Sequence, residues 1–267
     1  MIQIREFKIK DIESIRYLQP EGWRDITFYF SFYFKHDFCY PIIALNGNQI
    51  IGIANATVNG ATGWLAHIIV AEKYRHRGIG YSLTEYVVDY LKKQGCKTQL
   101  LIATKMGEGV YRKLGFETVS EYLFFNEGSI KSEIEDKNIR NFWDSDLKTL
   151  LKLDCKISGE NREKMLTQFL SNALVYAADS RIIGFLLQEF GEGMIIADNI
   201  EAGIALLKFK HSQQKCKTVI PVENKKGAEF LLSFGFKIID RAPRMALGEK
   251  ITWKPELIFS RAGGFYG

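Results

Sequence analysis

The stretch WLAHIIVAEKYRHRGIGYSLTEYVVDYL, residues 64–91, decides the fold of this chain. Its first seven residues, Trp64 to Val70, form an apolar run bounded by polar residues, which predicts a buried strand. Residues 81–91 carry apolar side chains at helical spacing, which predicts an amphipathic helix. The chain therefore passes from a strand through a short turn into a helix.

The turn between this strand and this helix is basic and contains two glycines. Its residues are Arg75, His76, Arg77, Gly78, Ile79 and Gly80. The first N–H groups of a helix have no partner within the helix, and the helix dipole favours negative charge beside them. Glycine lets a phosphate approach the backbone closely, and the cationic side chains add positive charge. The pattern predicts a site for a diphosphate or polyphosphate.

Two common phosphate loops do not fit this turn. A Walker loop requires Gly-x-x-x-x-Gly-Lys-Ser/Thr, and the turn has neither that spacing nor the lysine. The dinucleotide fingerprint requires a small residue three positions after Gly80, where Leu83 stands. The pattern that fits is Arg/Gln-x-x-Gly-x-Gly, met by Arg75, Gly78 and Gly80. This pattern resembles the acetyl-CoA pyrophosphate loop of the GCN5-related N-acetyltransferase (GNAT) superfamily.

A second motif lies downstream at residues 103–116, ATKMGEGVYRKLGF. In the GNAT superfamily a short helix with a tyrosine precedes a Gly-Phe pair that opens the next strand, and Tyr111 matches that tyrosine. Thr104 and Gly107 depart from the asparagine and alanine that are usual there. The run Ala-Thr-x-x-Gly before the tyrosine is similar to one subgroup, in which a second acetyltransferase-like domain follows the first.

The resemblance implies an α/β (α+β) fold of tandem GNAT-like domains, each a mixed, mostly antiparallel twisted sheet flanked by helices. We expect a catalytic domain over residues 1–128, with the strand that begins at Phe116 completing its sheet. We expect a degenerate GNAT-like domain over residues 129–267. A polar and charged stretch that begins at Ser129 marks the boundary.

The second half of the chain repeats landmarks of the first half. Residues 181–185, RIIGF, echo residues 49–53, QIIGI, and the Gly-Phe pair at 235–236 echoes the pair at 115–116. The second half contains no basic-x-x-Gly-x-Gly turn, and alignment on the Gly-Phe pairs places Leu231 opposite Tyr111. The second domain is therefore expected to keep the fold without the phosphate loop or the tyrosine.

The resemblance also assigns roles within the first domain. The backbone of Ile69 and Val70 would pair with the pantetheine arm of acetyl-CoA, which is the only cosubstrate that we expect. Tyr111 would protonate the leaving sulfur, or donate a hydrogen bond to it, as general acid. A half-buried tyrosine that only packs the short helix is the alternative interpretation of Tyr111.

No general base can be named from the sequence. His67 has a suitable ordinary pKa, but strand alternation would point it away from the face of Trp64 and Ala66, where the family places its bases. We therefore expect His67 to be a hydrogen-bonded core histidine. Glu21 and Asp25 are further candidates, and transfer of the amine proton to water requires no base.

An aromatic segment from Trp23 to Tyr40 has a periodicity that fits either a buried helix or a strand. Its aromatic side chains would pack in the core or between domains, or else line an apolar acceptor pocket. Stacking against a cationic amine is a further role that such rings can fulfil.

Composition places the chain among globular proteins. Of its 267 residues, 46% are hydrophobic and 25% are charged, and the formal net charge is +5. This modest charge suits a polyanionic cosubstrate but does not indicate nucleic acid, and no apolar run reaches the roughly 18–20 residues that cross a bilayer. The four cysteines are scattered, which argues against a metal site and favours a reducing, cytoplasmic location.

The expected function is transfer of an acetyl group from acetyl-CoA directly to an amine of a small molecule or peptide. The alternative is a non-catalytic acyl-CoA-binding or regulatory protein. A nucleotide-binding module is excluded, because the spacing of the turn matches neither the Walker loop nor the dinucleotide fingerprint. Neither nucleic acid nor a membrane is an expected partner, and homodimerisation is compatible with the second domain.

Overall fold

The structure, a computed structural model, describes residues 2–131, 136–179 and 181–264. These residues form two compact units. Unit 1 contains the described residues up to Glu117 together with Met245–Glu249, and unit 2 contains Thr118–Arg244 together with residues 250–264. Among the described residues, no helix has the length and apolar character required to cross a membrane.

Unit 1 is built on a sheet of five consecutive strands with helices on both faces. The strands are β1 (Ile2–Glu6), β2 (Cys39–Asn46), β3 (Gln49–Asn59), β4 (Thr62–Val70) and β5 (Thr98–Ile102). The helices are α1 (Ile26–Lys35), α2 (Ile79–Lys93) and α3 (Glu108–Lys113). The strand order is β1-β2-β3-β4-β5; the first three pairings are antiparallel and β4 pairs with β5 in parallel.

Helix α2 covers one face of this sheet with a continuous apolar stripe. The side chains of Ile79, Leu83, Val87 and Leu91, spaced by four residues, are buried. They form one core with sheet residues that include Leu65. Since burial of such a side chain contributes about 1.5–3 kcal/mol, the stripe fixes the helix on the sheet.

The aromatic segment that follows Trp23 forms helix α1 and then strand β2, which resolves the helix-or-strand ambiguity. Asp25 caps α1 by accepting a hydrogen bond from the Thr27 N–H at 2.8 Å. Ile26, Phe30 and Tyr33 are fully buried and lie at i, i+4 and i+7, which is helical spacing.

Unit 2 has the same type of architecture. Its strands are β6 (Glu117–Gly128), β7 (Ile139–Asn141), β8 (Ala173–Ala178), β9 (Arg181–Leu187), β10 (Met194–Ala197), β11 (Cys216–Pro221), most of β12 (Ile238–Gly248) and β13 (Ile258–Ser260). Its helices are α4 (Leu147–Ser158), α5 (Glu163–Leu166), α6 (Ile200–Gln213) and α7 (Lys225–Ser233). Strands β13-β10-β9-β8-β7 form an antiparallel sheet, and β6 pairs antiparallel with β11. The predicted fold class, mostly antiparallel sheets flanked by helices, is confirmed.

Strand β6 belongs to the same sheet as β1–β5, as expected, but it is not the neighbour of β5, because β12 stands between them in the strand order. Its central residues pair with β11 in unit 2, with Tyr122 opposite Pro221. The segment beside β5 in unit 1 is instead Met245–Glu249, where the Glu249 N–H donates to the Lys97 carbonyl at 3.0 Å. The compact units separate after Glu117, the first residue of β6, whereas the domain limits predicted from the sequence, 1–128 and 129–267, fall at its end.

Candidate functional site

Within the described part of the chain, one edge of strand β4 has no neighbouring strand over its second half. Pairing between β4 and β5 comprises Thr62–Thr98, Gly63–Gln99 and Trp64–Leu100, and it ends there. On its other edge β4 remains paired with β3 as far as Val70. Among the described residues, the β5-facing edge of positions 65–70 is therefore open to a ligand that binds as an additional strand.

A β-bulge interrupts β4 where this open edge begins. Ile53 faces Ile69 and Asn55 faces Ala66, so two residues of β4, His67 and Ile68, stand opposite one residue of β3. A bulge bends its strand and increases the local twist. The bend accounts for the separation of β4 from β5.

Because of the bulge, the side chain of His67 faces the opposite way from the predicted orientation. Strand alternation predicts that His67 points away from the face of Trp64 and Ala66, but the extra residue places it against helix α1. Its Nδ1 is 2.7 Å from the hydroxyl of Tyr33, and its ring centre is 4.7 Å from that of Tyr29. Burial lowers the pKa of His67 to about 3. It is a neutral, hydrogen-bonded histidine in the core, as expected, but on the other face.

The turn after β4 ends in an uncapped helix N-terminus. Gly78 is the N-cap of α2, has φ +80°, and provides no side-chain cap. Only glycine adopts this left-handed conformation without strain. The first backbone hydrogen bond of the helix runs from the Ser82 N–H to the Gly78 carbonyl. The N–H groups of Ile79, Gly80 and Tyr81 precede it and have no partner within the helix, which is the geometry that an anion site requires.

Gly80 is not required by the fold. A Cβ atom at this position would meet only Val70 Cγ2, at 3.8 Å, which is an ordinary van der Waals contact. Its backbone φ lies outside the left-handed region. The space beside Gly80 is therefore open within the protein, as a close approach by a phosphate requires.

Basic side chains surround the same turn. Arg75 donates from Nε to the Val70 carbonyl at 3.2 Å, which ties the turn to the end of β4. The Arg77 guanidinium carbon lies 5.5 Å from the ring centre of Tyr74, and His76 is exposed. Ile79 is buried, so only its backbone faces the turn.

The structure thus brings the eight predicted binding residues together at the end of β4 and the start of α2. They are Ile69, Val70, Arg75, His76, Arg77, Gly78, Ile79 and Gly80. The family resemblance implied an edge at Ile69 and Val70 that is available for pairing, whereas the bulge has no distinct signal in the local sequence and was not predicted.

Tyr111 lies in α3 and is almost completely buried, with 9% of its surface exposed. Burial raises the pKa of Tyr111 to about 12, so its hydroxyl stays protonated at neutral pH. Among the described residues this hydroxyl has no hydrogen-bond partner. The side chain is available as a hydrogen-bond donor rather than as a base.

The other candidate bases, Glu21 and Asp25, lie just before helix α1. Asp25 is occupied in capping α1, and it also accepts a hydrogen bond from the Thr27 hydroxyl at 2.7 Å. These hydrogen bonds lower the pKa of Asp25. Glu21 is exposed in the preceding turn.

In the described part of unit 2, both edges of the equivalent strand are paired. Strand β10 pairs with β9 on one side and with β13 on the other, where Ile195 faces Ser260. The Arg261 N–H donates to the Val219 carbonyl of β11 at 2.9 Å, so β13 lies between β10 and β11. Helix α6 is closed by its own cap, Asn199, whose side chain accepts from the Ala202 N–H.

Comparison with known proteins agrees with this geometry. A sequence profile of the acetyltransferase (GNAT) family matches residues 7–116, which contain the β4 edge, the turn and Tyr111. This region is a GNAT domain. A candidate acetyltransferase of Bacillus subtilis (strain 168) is 33% identical over 86 residues, which are 32% of this chain and 58% of that protein. The chain thus spans little more than half the length of this curated relative.

Solved structures extend the similarity in fold beyond the GNAT region. A candidate acetyltransferase from Pyrococcus horikoshii has a TM-score of 0.85 at 20% identity, over 100% of this chain and 96% of that one. A GCN5-related N-acetyltransferase from Anabaena variabilis ATCC 29413 has a TM-score of 0.60 at 11% identity, over 92% of this chain and 72% of that one. At these identities the likeness shows the fold.

Proposed function

We propose that this protein is an acetyl-CoA-dependent N-acetyltransferase whose reaction takes place in unit 1. The observation that carries the proposal is the open edge of β4, which leads directly into the uncapped N-terminus of α2. An extended arm attached to a diphosphate matches both features at once, because the arm pairs with a strand and the diphosphate binds a helix start.

The residues present fit acetyl-CoA. The backbone groups of Ile69 and Val70 would hold the pantetheine arm. The N–H groups from Ile79 to Tyr81 would hold the pyrophosphate, with Arg75 and Arg77 adding positive charge. The open space beside Gly80 allows the close approach that this requires. The cosubstrate supplies an acetyl group activated as a thioester.

The same residues can stabilise the reaction of a neutral amine with that thioester. Nitrogen forms a bond to the carbonyl carbon, the C–S bond breaks, and the amine proton passes to water. Backbone N–H groups at the β4 edge would stabilise the oxyanion. Tyr111, with a pKa of about 12, would donate a hydrogen bond to the departing sulfur, because a thiol of pKa about 8.5 is the stronger acid.

Direct transfer is favoured over a covalent enzyme intermediate. The two cysteines of unit 1 are buried. Burial raises the pKa of Cys39 to about 12 and that of Cys96 to about 11, so neither supplies a thiolate at neutral pH. The four described cysteines are free thiols, which suits a reducing, cytoplasmic compartment.

We assign unit 2 a non-catalytic role, because β13 fills the place that is open beside β4. It retains no basic turn, and Leu231 stands where unit 1 has Tyr111. Shaping of the acceptor site or homodimerisation would suit such a unit.

The test is calorimetric titration of acetyl-CoA into the full chain, followed by a screen of amines with thiol release as the readout. Binding of one equivalent together with amine-dependent thiol release supports the proposal. Binding without turnover on any small amine or peptide N-terminus favours the alternative, a non-catalytic acyl-CoA-binding protein. No binding would contradict both.

A further inference from the structure

The backbone of His67 has an unusual conformation. Its φ is +48°, in the left-handed region that residues other than glycine rarely adopt. It is the first of the two residues that the β4 bulge sets opposite β3, the position that glycine often occupies in this type of bulge. A strained residue persists only where its surroundings determine its conformation, and such residues concentrate at functional sites.

Helix α1 supplies those surroundings. The Tyr33 hydroxyl is hydrogen-bonded to His67 Nδ1 at 2.7 Å, and Tyr33 itself is fully buried. The imidazole ring centre also lies 4.7 Å from that of Tyr29, 5.8 Å from that of Trp23 and 6.3 Å from that of Phe30. With 7% of its surface exposed, His67 is enclosed by aromatic rings that hold its orientation.

The bulge determines which way the rest of β4 faces. Leu65 before it and Ile68 and Val70 after it all pack on the core beneath α2. Without the extra residue, alternation would send Ile68 and Val70 to the opposite face. The bulge therefore sets the orientation of the backbone groups on the open edge.

We propose that His67 is a positioning residue: held by Tyr33, it maintains the bulge that presents the open edge of β4 to acetyl-CoA. The proposal rests on the proposed function of that edge. His67 acts through the backbone of Ile69 and Val70 and does not touch the reacting atoms. It differs from a general base, because the requirement is for its backbone conformation rather than for proton transfer.

Two substitutions separate these roles. His67→Gly removes the imidazole but accommodates φ +48° freely, whereas His67→Val removes it and disfavours that conformation. A positioning role predicts that His67→Gly keeps kcat and acetyl-CoA affinity within about threefold, while His67→Val lowers kcat by about tenfold or more, the factor that 1.4 kcal/mol represents. Equal loss in both variants would overturn the proposal in favour of a base, as would rescue by added imidazole. Full activity in His67→Val would also overturn it.

A third variant tests the hydrogen bond. Tyr33→Phe should lower kcat by a few fold while its pH profile keeps the shape of the wild-type profile. Tyr176→Phe is the matched control, because it removes a buried hydroxyl that accepts from Asn138 Nδ2 at 3.0 Å in unit 2. Its kcat should equal that of the wild type. Equal kcat in Tyr33→Phe and the wild type would overturn the assigned role of the hydrogen bond.

Hydrogen exchange provides a readout that needs no turnover. Amide exchange at Ile68, Ile69 and Val70 should rise in His67→Val and stay near the wild-type rate in His67→Gly. If His67→Val does not fold, His67→Ala replaces it, because alanine also disfavours the left-handed region but lacks the bulk of a β-branched side chain. Unchanged amide exchange at these three residues in His67→Val would contradict the positioning role. Absence of acetyl transfer in the wild type would instead count against the proposed function alone.

Discussion

The ring of Tyr111 occupies the space that a side chain at Gly107 would fill. A Cβ atom at Gly107 would lie 2.8 Å from Tyr111 Cε2 and 3.0 Å from its hydroxyl oxygen. This close approach explains why glycine stands at position 107, where alanine is usual in the GNAT superfamily, because a methyl group there would collide with the tyrosine ring. The two residues pack directly against each other at the start of α3.

This relationship predicts the effect of Gly107→Ala. The added methyl group should displace the Tyr111 ring and lower stability by about 1–3 kcal/mol, the usual cost of overpacking. Turnover should fall more than acetyl-CoA affinity, because the phosphate turn is untouched. Gly109→Ala in the same helix is the control, since a Cβ there meets nothing within 4 Å and should stabilise by up to about 1 kcal/mol. Identical behaviour of the two variants in thermal unfolding and turnover assays would contradict the prediction.

Tyr111→Phe should lower kcat by about tenfold to hundredfold with little change in acetyl-CoA affinity, because it removes only the hydrogen-bond donor. The phenol of wild-type Tyr111 is protonated below its pKa of about 12. Deprotonation of this phenol should therefore cause no fall in the kcat of the wild type below about pH 11. Steady-state kinetics from pH 6 to pH 10 check both points, and unchanged kcat in the variant would reduce Tyr111 to a packing residue.

Gly80→Ala should separate stability from binding. Alanine is the better helix former, so the free energy of unfolding should rise by up to about 1 kcal/mol. Acetyl-CoA affinity should fall by about tenfold or more, equivalent to about 1.4 kcal/mol, because the methyl group fills the space reserved for phosphate. Asp89→Ala, on the exposed face of the same helix, is the control that should gain stability without losing affinity. If Gly80→Ala bound acetyl-CoA as tightly as the wild type in calorimetry, the assignment of this turn as the phosphate-binding loop would be wrong.

The buried neutral His67 makes stability depend on pH. Its pKa is about 3 in the folded protein and near 6.5 when unfolded. Between these values the unfolded chain binds a proton that the folded chain does not, so stability is lost as the pH falls below 6.5. From pH 7 to pH 5 this group should remove about 2 kcal/mol from the free energy of unfolding.

The comparison that isolates His67 is urea unfolding of wild type and His67→Asn at pH 7 and pH 5. The difference between the two proteins should change by about that amount, because asparagine does not titrate. His211, whose pKa burial lowers to about 4, contributes equally to both proteins. If the free energies of unfolding of the two proteins changed in parallel with pH, protonation of His67 would not destabilise the folded protein, contrary to the prediction.

Sequence reasoning located the features that are encoded locally. The apolar run before Val70, the turn at Gly78 and the helical stripe that contains Leu83 each have their signal within a few residues, and each appears in the structure. The predicted binding residues came together for the same reason, since they lie within twelve consecutive positions.

The features that sequence reasoning missed depend on partners far away in the chain. The bulge at His67 is defined by its pairing with β3 and by rings from α1, so alternation alone gave the wrong face. The pairing of β6 with β11 joins Tyr122 to Pro221, and no residue near either one signals it. Such pairings are set by the packing of the whole unit rather than by local propensity.

Strand β13 leads to the last prediction, that each chain binds one equivalent of acetyl-CoA. Phe259 of β13 packs its ring against Gly203 of α6, where a Cβ atom would collide with it, and Asn224 Nδ2 donates to the Ile258 carbonyl at 2.9 Å. Phe259→Ala should destabilise unit 2 by about 3–5 kcal/mol through the cavity that it leaves. It should still bind one equivalent in calorimetry, because unit 2 has no basic turn to hold a diphosphate. Two equivalents, in this variant or in the wild type, would show that the second unit retains a cosubstrate site.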